Sequence, residues 1–202
     1  MVLIFADQTD GQFKKTAFEA LAYGAKVAEL LGTTAEAVVL GTVARDLLSL
    51  GKYGVKKVHH VANETLNGFD SQVYSKAIAA AVETTGANIL VLAHNNTGRA
   101  IAGRLSVRLK AALVPAAVGL PDITNGFVVK KVAFSGKAFA NVSLNTEIKI
   151  ISLNMNAFKA VAGEGTAARE RPRSLRDQRE ALDVRALRAP APGRPRDPRG
   201  RG

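Results

Sequence analysis

Four residues of one polar stretch, His94, Thr97, Gly98 and Arg99, have side chains or backbone suited to contact a ligand. They follow the apolar run 89–93 and precede a helical pattern, so they form a loop at the carboxyl end of a predicted strand. Open α/β sheets bind ligands at such loops, and the amino terminus of a helix favours anions. These four residues are therefore candidates for contact with a phosphate or a nucleotide. The favoured alternative is a turn in which Thr97 caps the helix and Arg99 is solvated, since no glycine-rich phosphate fingerprint is present.

Two further sets of polar residues are interpreted as structural and not as a functional site. Asp7, Thr9 and Asp10 follow the first apolar stretch, but no basic or metal-ligating partner is identifiable, so a polar loop is the favoured interpretation. His59 and His60 are adjacent, and neighbouring side chains of a strand point to opposite faces, so we expect at most one of them to face the core.

The residue types exclude several kinds of catalytic or metal site. The chain has no cysteine and three histidines, so we expect neither a thiolate nor a histidine metal site. Nothing resembles a Ser/His/Asp set or a pair of acid–base carboxylates, and we predict no catalytic residue.

The elements that must position these residues alternate between strand and helix. The run 89–93 has no polar alternation, which is typical of a strand buried on both faces of a parallel sheet. After residue 118 the pattern changes to strand-like segments, with a predicted hairpin from 127–134 and 138–144 and one more strand within 147–153. The sequence thus predicts an α/β fold with a mainly parallel sheet and antiparallel strands at one edge. The other predicted strands are 2–6, 37–41, 58–61 and 114–118, and the predicted helices are 14–31, 69–84 and one that begins near residue 100.

Charge is distributed unevenly along the 202 residues, whose net charge is +11. Residues 1–164 contain 13 lysines and 4 arginines, whereas residues 165–202 contain 11 arginines and no lysine. We predict a domain over 1–164 and a disordered Arg/Pro/Ala/Gly-rich tail over 165–202, with one short helix over 174–188 as an option. The favoured interpretation is that the tail is not native and reflects GC-rich DNA translated out of frame. The alternative is an arm that binds nucleic acid by neutralising phosphates, although it lacks aromatic residues for stacking on bases.

Hydropathy argues against a membrane protein. No run approaches the roughly 20 apolar residues of a membrane-spanning helix. The amino terminus has no basic leader and no cleavage pattern, so it is interpreted as a first strand and not as a signal peptide. We therefore expect a cytoplasmic protein.

Three stretches together resemble the amino-terminal domain of the electron transfer flavoprotein alpha subunit. They are MVLIFADQTDGQFKKTAFEALAYGAKVAE at the start, VLAHNNTGRAIAGRLSVRLKAALVPAA in the middle and FVVKKVAFSGKAFANVSLNTEIKIISLNMNAF near the end. The resemblance covers about residues 1–164. It implies a Rossmann-like, three-layer fold related to the adenine nucleotide alpha hydrolases, with added strands.

The resemblance also implies a function. In this family the alpha subunit pairs with a beta subunit, and the pair carries electrons on FAD from flavin dehydrogenases, such as acyl-CoA dehydrogenases, to a quinone reductase or another acceptor. The flavin is held mainly by a carboxyl-terminal domain, whose glycine–arginine turn and Ser/Thr- and Gly-rich loop have no counterpart here. We expect an electron-carrier fragment and not an enzyme: a scaffold and docking domain that binds no FAD alone. The alternatives are an adenine-nucleotide-binding module, with loops near Asp7, Gly41 and His94, and nucleic-acid binding through the tail.

Overall fold

The strands and helices alternate along most of the chain. The computed structural model describes residues 1–44, 46–163 and 165–170. Short 3₁₀ helices lie at Leu47–Tyr53, Glu64–Leu66 and Phe134–Gly136. In chain order the other elements are β1 (Val2–Phe5), β2 (Gln8–Thr9), β3 (Gln12–Phe13), α1 (Lys15–Leu30), β4 (Ala35–Leu40), β5 (Lys57–Val61), α2 (Ser71–Thr85), β6 (Ile89–Ala93), α3 (Asn96–Leu109), β7 (Ala112–Ala117), β8 (Val128–Ala133), β9 (Ala138–Ser143), β10 (Lys149–Leu153) and β11 (Ala168–Glu170).

The main sheet has nine strands in the order β11-β5-β4-β1-β6-β10-β7-β8-β9. All neighbours from β11 to β7 pair in parallel. The hairpin β8–β9 continues the sheet from β7 in antiparallel pairing. The predicted α/β fold with a mainly parallel sheet and an antiparallel edge is confirmed.

The position of β10 corrects one expectation. The sequence pattern grouped the segment 147–153 with the antiparallel strands that follow residue 118. Instead β10 lies between β6 and β7 and is parallel to both. Its side chains explain this place, because Ile150 and Ile151 point to opposite faces and both are fully buried. A strand that is apolar on both faces is stabilised in the middle of a covered sheet, since each face loses contact with water there.

Helices cover the sheet on both faces, which gives three layers. Val2, Ile4 and Val91 contribute to the core under α1 and the 3₁₀ helix Leu47–Tyr53. Leu90 and Leu92 project to the opposite core, under α2 and α3. This arrangement explains why β6 is apolar at every position, and its bounds coincide with the predicted run 89–93.

The ends of α2 are set by local chemistry. Asp70 accepts hydrogen bonds from the backbone N–H groups of Gln72 and Val73, at 2.7 and 3.1 Å. This cap satisfies two donors of the first turn, so the helix begins at Ser71 and not at the predicted residue 69. At the other end Gly86 has φ = 65°, a left-handed conformation that glycine adopts at little cost.

The sheet extends past residue 164, where we expected the tail to begin. Ala167 is 5% exposed, and its N–H donates to the carbonyl of Leu48 at 3.1 Å. The next three residues form β11 and pair with β5. Residues 168–170 thus belong to the sheet and not to a disordered tail, whereas the optional helix over 174–188 and the rest of the predicted disordered tail, residues 171–202, lie outside the described residues. Among the helices of the described residues, none is long and apolar enough to cross a membrane.

Candidate functional site

The polar residues that follow β1 and β6 lie together at the switch point of the sheet. The chain continues from β1 through α1 to β4 on one side, and from β6 through α3 to β7 on the other. Parallel α/β sheets form a ligand-binding crevice between two such strands, at their carboxyl ends. We call the residues here the strand-end cluster: Asp7, His94, Asn95, Thr97 and Ser152.

Asp7 is the buried acid of the strand-end cluster. Its side chain accepts a hydrogen bond from Asn95 Nδ2 at 2.8 Å, and Thr97 also hydrogen-bonds to it. Burial raises the pKa of Asp7 above its ordinary value of 3.8, although these hydrogen bonds and the charge of Lys14 act in the opposite direction. Asp7 lies in a loop, as predicted, but it is only 3% exposed, so its side chain is a buried part of the structure. The signal that could have found the pair is positional, because Asp7 and Asn95 each follow a buried parallel strand by two residues.

Asn95, and not Thr97, caps α3. The Asn95 Oδ1 accepts the N–H of Gly98 at 2.8 Å, and the backbone of Asn95 is extended, as a helix cap requires. The prediction that Thr97 is the cap is therefore wrong: Thr97 lies in the first turn and bonds to Asp7. One of the free N–H groups that would bind an anion is already satisfied by the protein itself.

Gly98 is required by packing. A Cβ at this position would lie 1.9 Å from the carbonyl oxygen of Ala93, so only glycine lets α3 start this close to β6. The glycine thus has a structural reason that needs no ligand.

His94 lies on the side of the cluster towards β10. His94 Nδ1 is 2.8 Å from the hydroxyl of Ser152, which is fully buried. Burial, together with the positive charges of Arg99 and Lys131, lowers the pKa of His94. The imidazole is therefore neutral at pH 7 and held by Ser152, whereas Arg99 is exposed. The structure places His94 against Ser152, Thr97 against Asp7 and Gly98 against Ala93, and it leaves Arg99 at the surface.

A small cavity opens beside the cluster, past the ends of β1 and β4. It has a volume of about 280 Å³ and is lined by Gln8, Asp10, Gly11, Thr42, Ala44 and Asn67. Two of its amides are already engaged: Gln8 Nε2 donates to the carbonyl of Leu40 at 3.0 Å, and Asn67 Oδ1 accepts the N–H of Thr42 at 2.7 Å. Ligand pockets commonly have volumes of about 300–1,000 Å³, so this cavity is small for a nucleotide.

Both adjacent histidines of β5 are buried, which corrects the expectation that at most one faces the core. His59 Nε2 lies 2.5 Å from Glu36 Oε2, and His60 Nε2 lies 2.8 Å from the carbonyl oxygen of Gly41. The prediction failed because it treated one face of the strand as solvated, whereas β5 is covered on both faces and flanked by β4 and β11. In the described part of the chain, no group of three or more His, Cys, Asp or Glu residues is placed to hold a metal ion.

The fold and the strand-end cluster define a three-layer, Rossmann-like α/β protein with its crevice at the carboxyl ends of parallel strands. Within that class, residues 2–177 match the family model described as the electron transfer flavoprotein domain. The chain belongs to this family, and the resemblance found in the sequence is confirmed.

Three relatives illustrate the match. The electron transfer flavoprotein subunit alpha of Clostridium acetobutylicum is 33% identical over 147 residues, which are 70% of this chain and 43% of that protein. The subunit of the same name in Bacillus subtilis is 25% identical over 191 residues, 91% of this chain and 54% of that protein. Subunit LctC of the lactate dehydrogenase (NAD(+),ferredoxin) of Acetobacterium woodii is 25% identical over 162 residues, 79% of this chain and 39% of that protein. The chain spans about half or less of the length of these relatives.

Proposed function

We propose that this chain acts as the scaffold and docking domain of an electron transfer flavoprotein alpha subunit. In the complete protein it pairs with a beta subunit, and the pair carries electrons on FAD from a flavin dehydrogenase, such as an acyl-CoA dehydrogenase, to a quinone reductase or other acceptor. Flavin supplies one- and two-electron chemistry, and the protein supplies binding and orientation. The observation that carries the proposal is the match of residues 2–177 to the family.

The strand-end cluster supports the view that these residues do not hold the flavin. The carboxyl group of Asp7 lies buried at the switch point and is already hydrogen-bonded to Asn95 and Thr97, so an internal contact fills the position that a pyrophosphate would take. The adjoining cavity of about 280 Å³ is too small for FAD. The residues present at the strand ends do not fit the cofactor, and we assign no electron-transfer step to them.

Purification of the chain alone tests this division of labour. The preparation is expected to be colourless, because its described residues lack a flavin pocket at the strand ends. Stoichiometric flavin absorbance after dialysis would contradict the proposal. Addition of FAD to the purified chain, followed by gel filtration, tests whether the chain binds flavin that was lost during purification.

The exposed hairpin β8–β9 is the surface we propose for contact with the beta subunit. Phe134 is 81% exposed and Phe139 is 61% exposed, and β9 is the last strand of the sheet on this side. Exposed aromatic rings and an edge strand are features of protein–protein contact surfaces.

Co-purification with a beta subunit of the family tests this surface. The change of both Phe134→Ser and Phe139→Ser is expected to abolish co-elution, because the aromatic contact area is lost. The matched control is Val161→Ser, at a residue that is 75% exposed elsewhere on the surface. Equal co-elution of all three proteins would move the interface away from the hairpin, and no co-elution of the unmodified chain would contradict the docking role itself.

A second candidate function is adenine-nucleotide binding at the small cavity past the ends of β1 and β4. It is favoured by the position of this cavity at the carboxyl ends of β1 and β4, where the fold class places ligands. Isothermal titration with ATP and AMP distinguishes it from the first proposal. Saturable binding that is lost in Gly11→Val would support it, whereas no binding at about millimolar nucleotide, an affinity limit of roughly 4 kcal/mol, would remove it.

A further inference from the structure

A groove lies on the outer surface of the helix pair α2 and α3, and none of its lining residues belongs to the strand-end cluster. It has a volume of about 560 Å³, with one wall from α2 and the other from α3. We call it the α2–α3 groove, and it is lined by Gln72, Ser75, Lys76, Gly103, Arg104, Val107 and Arg108.

The charge of the α2–α3 groove is one-sided. Lys76 projects from one wall, Arg104 and Arg108 from the other, and no carboxylate lines the groove. Within residues 1–44, 46–163 and 165–170, none of these three cations forms an ion pair or a side-chain hydrogen bond. Ser75 does not compete for them, because its hydroxyl donates to the carbonyl of Ser71 at 2.6 Å. With respect to the described residues, the groove therefore presents three unneutralised positive charges to an incoming group.

The spacing of the cations matches carboxylates carried on a helix. Arg104 and Arg108 are four residues apart on α3, so their side chains emerge about 6 Å apart on one face. Two glutamates at positions i and i+4 of a partner helix have the same spacing, and each guanidinium can bind one carboxylate with two parallel hydrogen bonds.

The apolar part of the groove favours a peptide over a nucleic acid. Val107 lies beside the two arginines on α3 and is 81% exposed, so it offers an apolar contact to a side chain next to the two glutamates. Gly103 has no atom within 4 Å of the position of a Cβ, which leaves room for such a side chain. No aromatic residue lines the groove to stack on a base, and three cations are few for tracking a phosphate backbone.

We propose that the α2–α3 groove docks an acidic amphipathic helix of a protein partner, with carboxylates at i and i+4 on either side of an apolar residue. Lys76 closes the site from the opposite wall and steers the acidic helix into the groove. This site is separate from the hairpin β8–β9 and needs no flavin, so it goes beyond the proposed function.

Fluorescence anisotropy with a labelled model peptide tests the proposal on the full chain. The probe is a helical peptide of about 16 residues with Glu at i and i+4 around a Leu, long enough for a helix to form in an alanine-rich background. Its partner probe has Gln in place of each Glu. We expect binding of the Glu peptide that weakens with added salt, and an affinity loss of about tenfold or more in the double variant R104E and R108E.

The matched control is the double variant K56E and K137E, which changes the net charge by the same amount at exposed residues outside the groove. Every variant retains residues 171–202, so any contribution of these residues to peptide binding is the same in all of them. The proposal requires the control to bind within about twofold of the unmodified chain, since distant surface charges are screened. Circular dichroism melts establish that each variant is folded, and the milder pair R104Q and R108Q replaces the charge reversal if it is not.

Three outcomes would overturn the proposal. Equal losses in the groove variant and the control would show binding to net charge alone. Equal binding by the Gln peptide would remove the carboxylates from the recognition. A DNA duplex of about 20 base pairs that binds the chain and loses affinity only in the groove variant, while the peptide does not bind, would make the groove a nucleic-acid surface. None of these results bears on the electron-transfer proposal, because no flavin or beta subunit is present.

Discussion

At the scale of single residues, the contact between Asp7 and Asn95 explains the most about the strand ends. The two residues are 88 positions apart, and the 2.8 Å hydrogen bond between them joins the loop after β1 to the start of α3. Asn95 serves twice, because its amide nitrogen donates to Asp7 while its oxygen caps α3. The position that the fold class uses for ligands is thus occupied here by an internal polar contact.

Replacement of Asp7 by asparagine should make stability less dependent on pH. The pKa of Asp7 is raised above 3.8 in the folded protein by burial, so the folded state holds the proton more tightly than the unfolded state. Stability from this group is therefore full below the unfolded pKa and is lost as pH rises through the folded pKa. The substituted side chain does not titrate, and its carbonyl oxygen still accepts from Asn95. The free energy of unfolding of Asp7→Asn, minus that of the unmodified chain, is thus expected to be larger at about pH 7 than at about pH 4.

Urea unfolding of both proteins at the two pH values measures this difference. All other titrating groups are the same in the two proteins, so their contributions to the pH dependence cancel in the comparison. Asp7→Ala serves as the comparison, since it leaves the Asn95 amide without its acceptor and should cost about 1–3 kcal/mol. A stability difference between Asp7→Asn and the unmodified chain that is independent of pH would contradict the assignment.

At the scale of elements, α3 carries both features that we interpret functionally. Its first turn joins the strand-end cluster, and its outer face forms one wall of the α2–α3 groove. Its inner face, with Ile101 and Leu105 fully buried, packs on the sheet. The two glycines of α3 have different surroundings, since Gly98 is packed against β6 and Gly103 faces solvent.

Alanine at these two glycines should act in opposite directions. Gly98→Ala places a Cβ 1.9 Å from the backbone oxygen of Ala93, so the start of α3 must shift. We expect a destabilisation of about 3 kcal/mol or more, of the size seen for overpacking against backbone. Gly103→Ala meets no atom and should stabilise the helix by about 0.5–1 kcal/mol, because glycine loses more entropy than alanine in a helix. Thermal or urea unfolding of the pair checks both signs; a neutral Gly98→Ala would mean that the approach of α3 to β6 is not fixed.

At the scale of the whole molecule, the order of the strands is decided by contacts between distant segments. The last described strand, β11, returns from the end of β10 to the opposite edge of the sheet and pairs with β5. On the way Gly163 donates its N–H to the carbonyl of Lys52 at 2.7 Å, and Ala167 enters the core. The segment after β10 thus connects the two halves of the sheet.

Removal of β11 should lower the melting temperature. A chain that ends after residue 163 loses the buried Ala167 and exposes the edge of β5, which we expect to cost about 1–2 kcal/mol, or roughly 2–8 °C in melting temperature. The matched control is a chain that ends after residue 170, which retains every described contact. Differential scanning calorimetry compares the two chains. Equal melting temperatures would mean that residues 164–170 do not stabilise the domain, in agreement with a domain boundary at residue 164.

The sequence by itself determined the class of the fold, the central strand at residues 89–93, the edge hairpin and the family. These follow from local periodicity and from stretches of matching sequence, both of which are properties of neighbouring residues. Only the tertiary structure decided that β10 lies between β6 and β7, that Asp7 meets Asn95, that Asn95 caps α3 and that both histidines of β5 are buried. Each of these depends on which distant segments pair and on which faces the helices cover, and the free energy of such contacts is not encoded in the spacing of neighbouring residues.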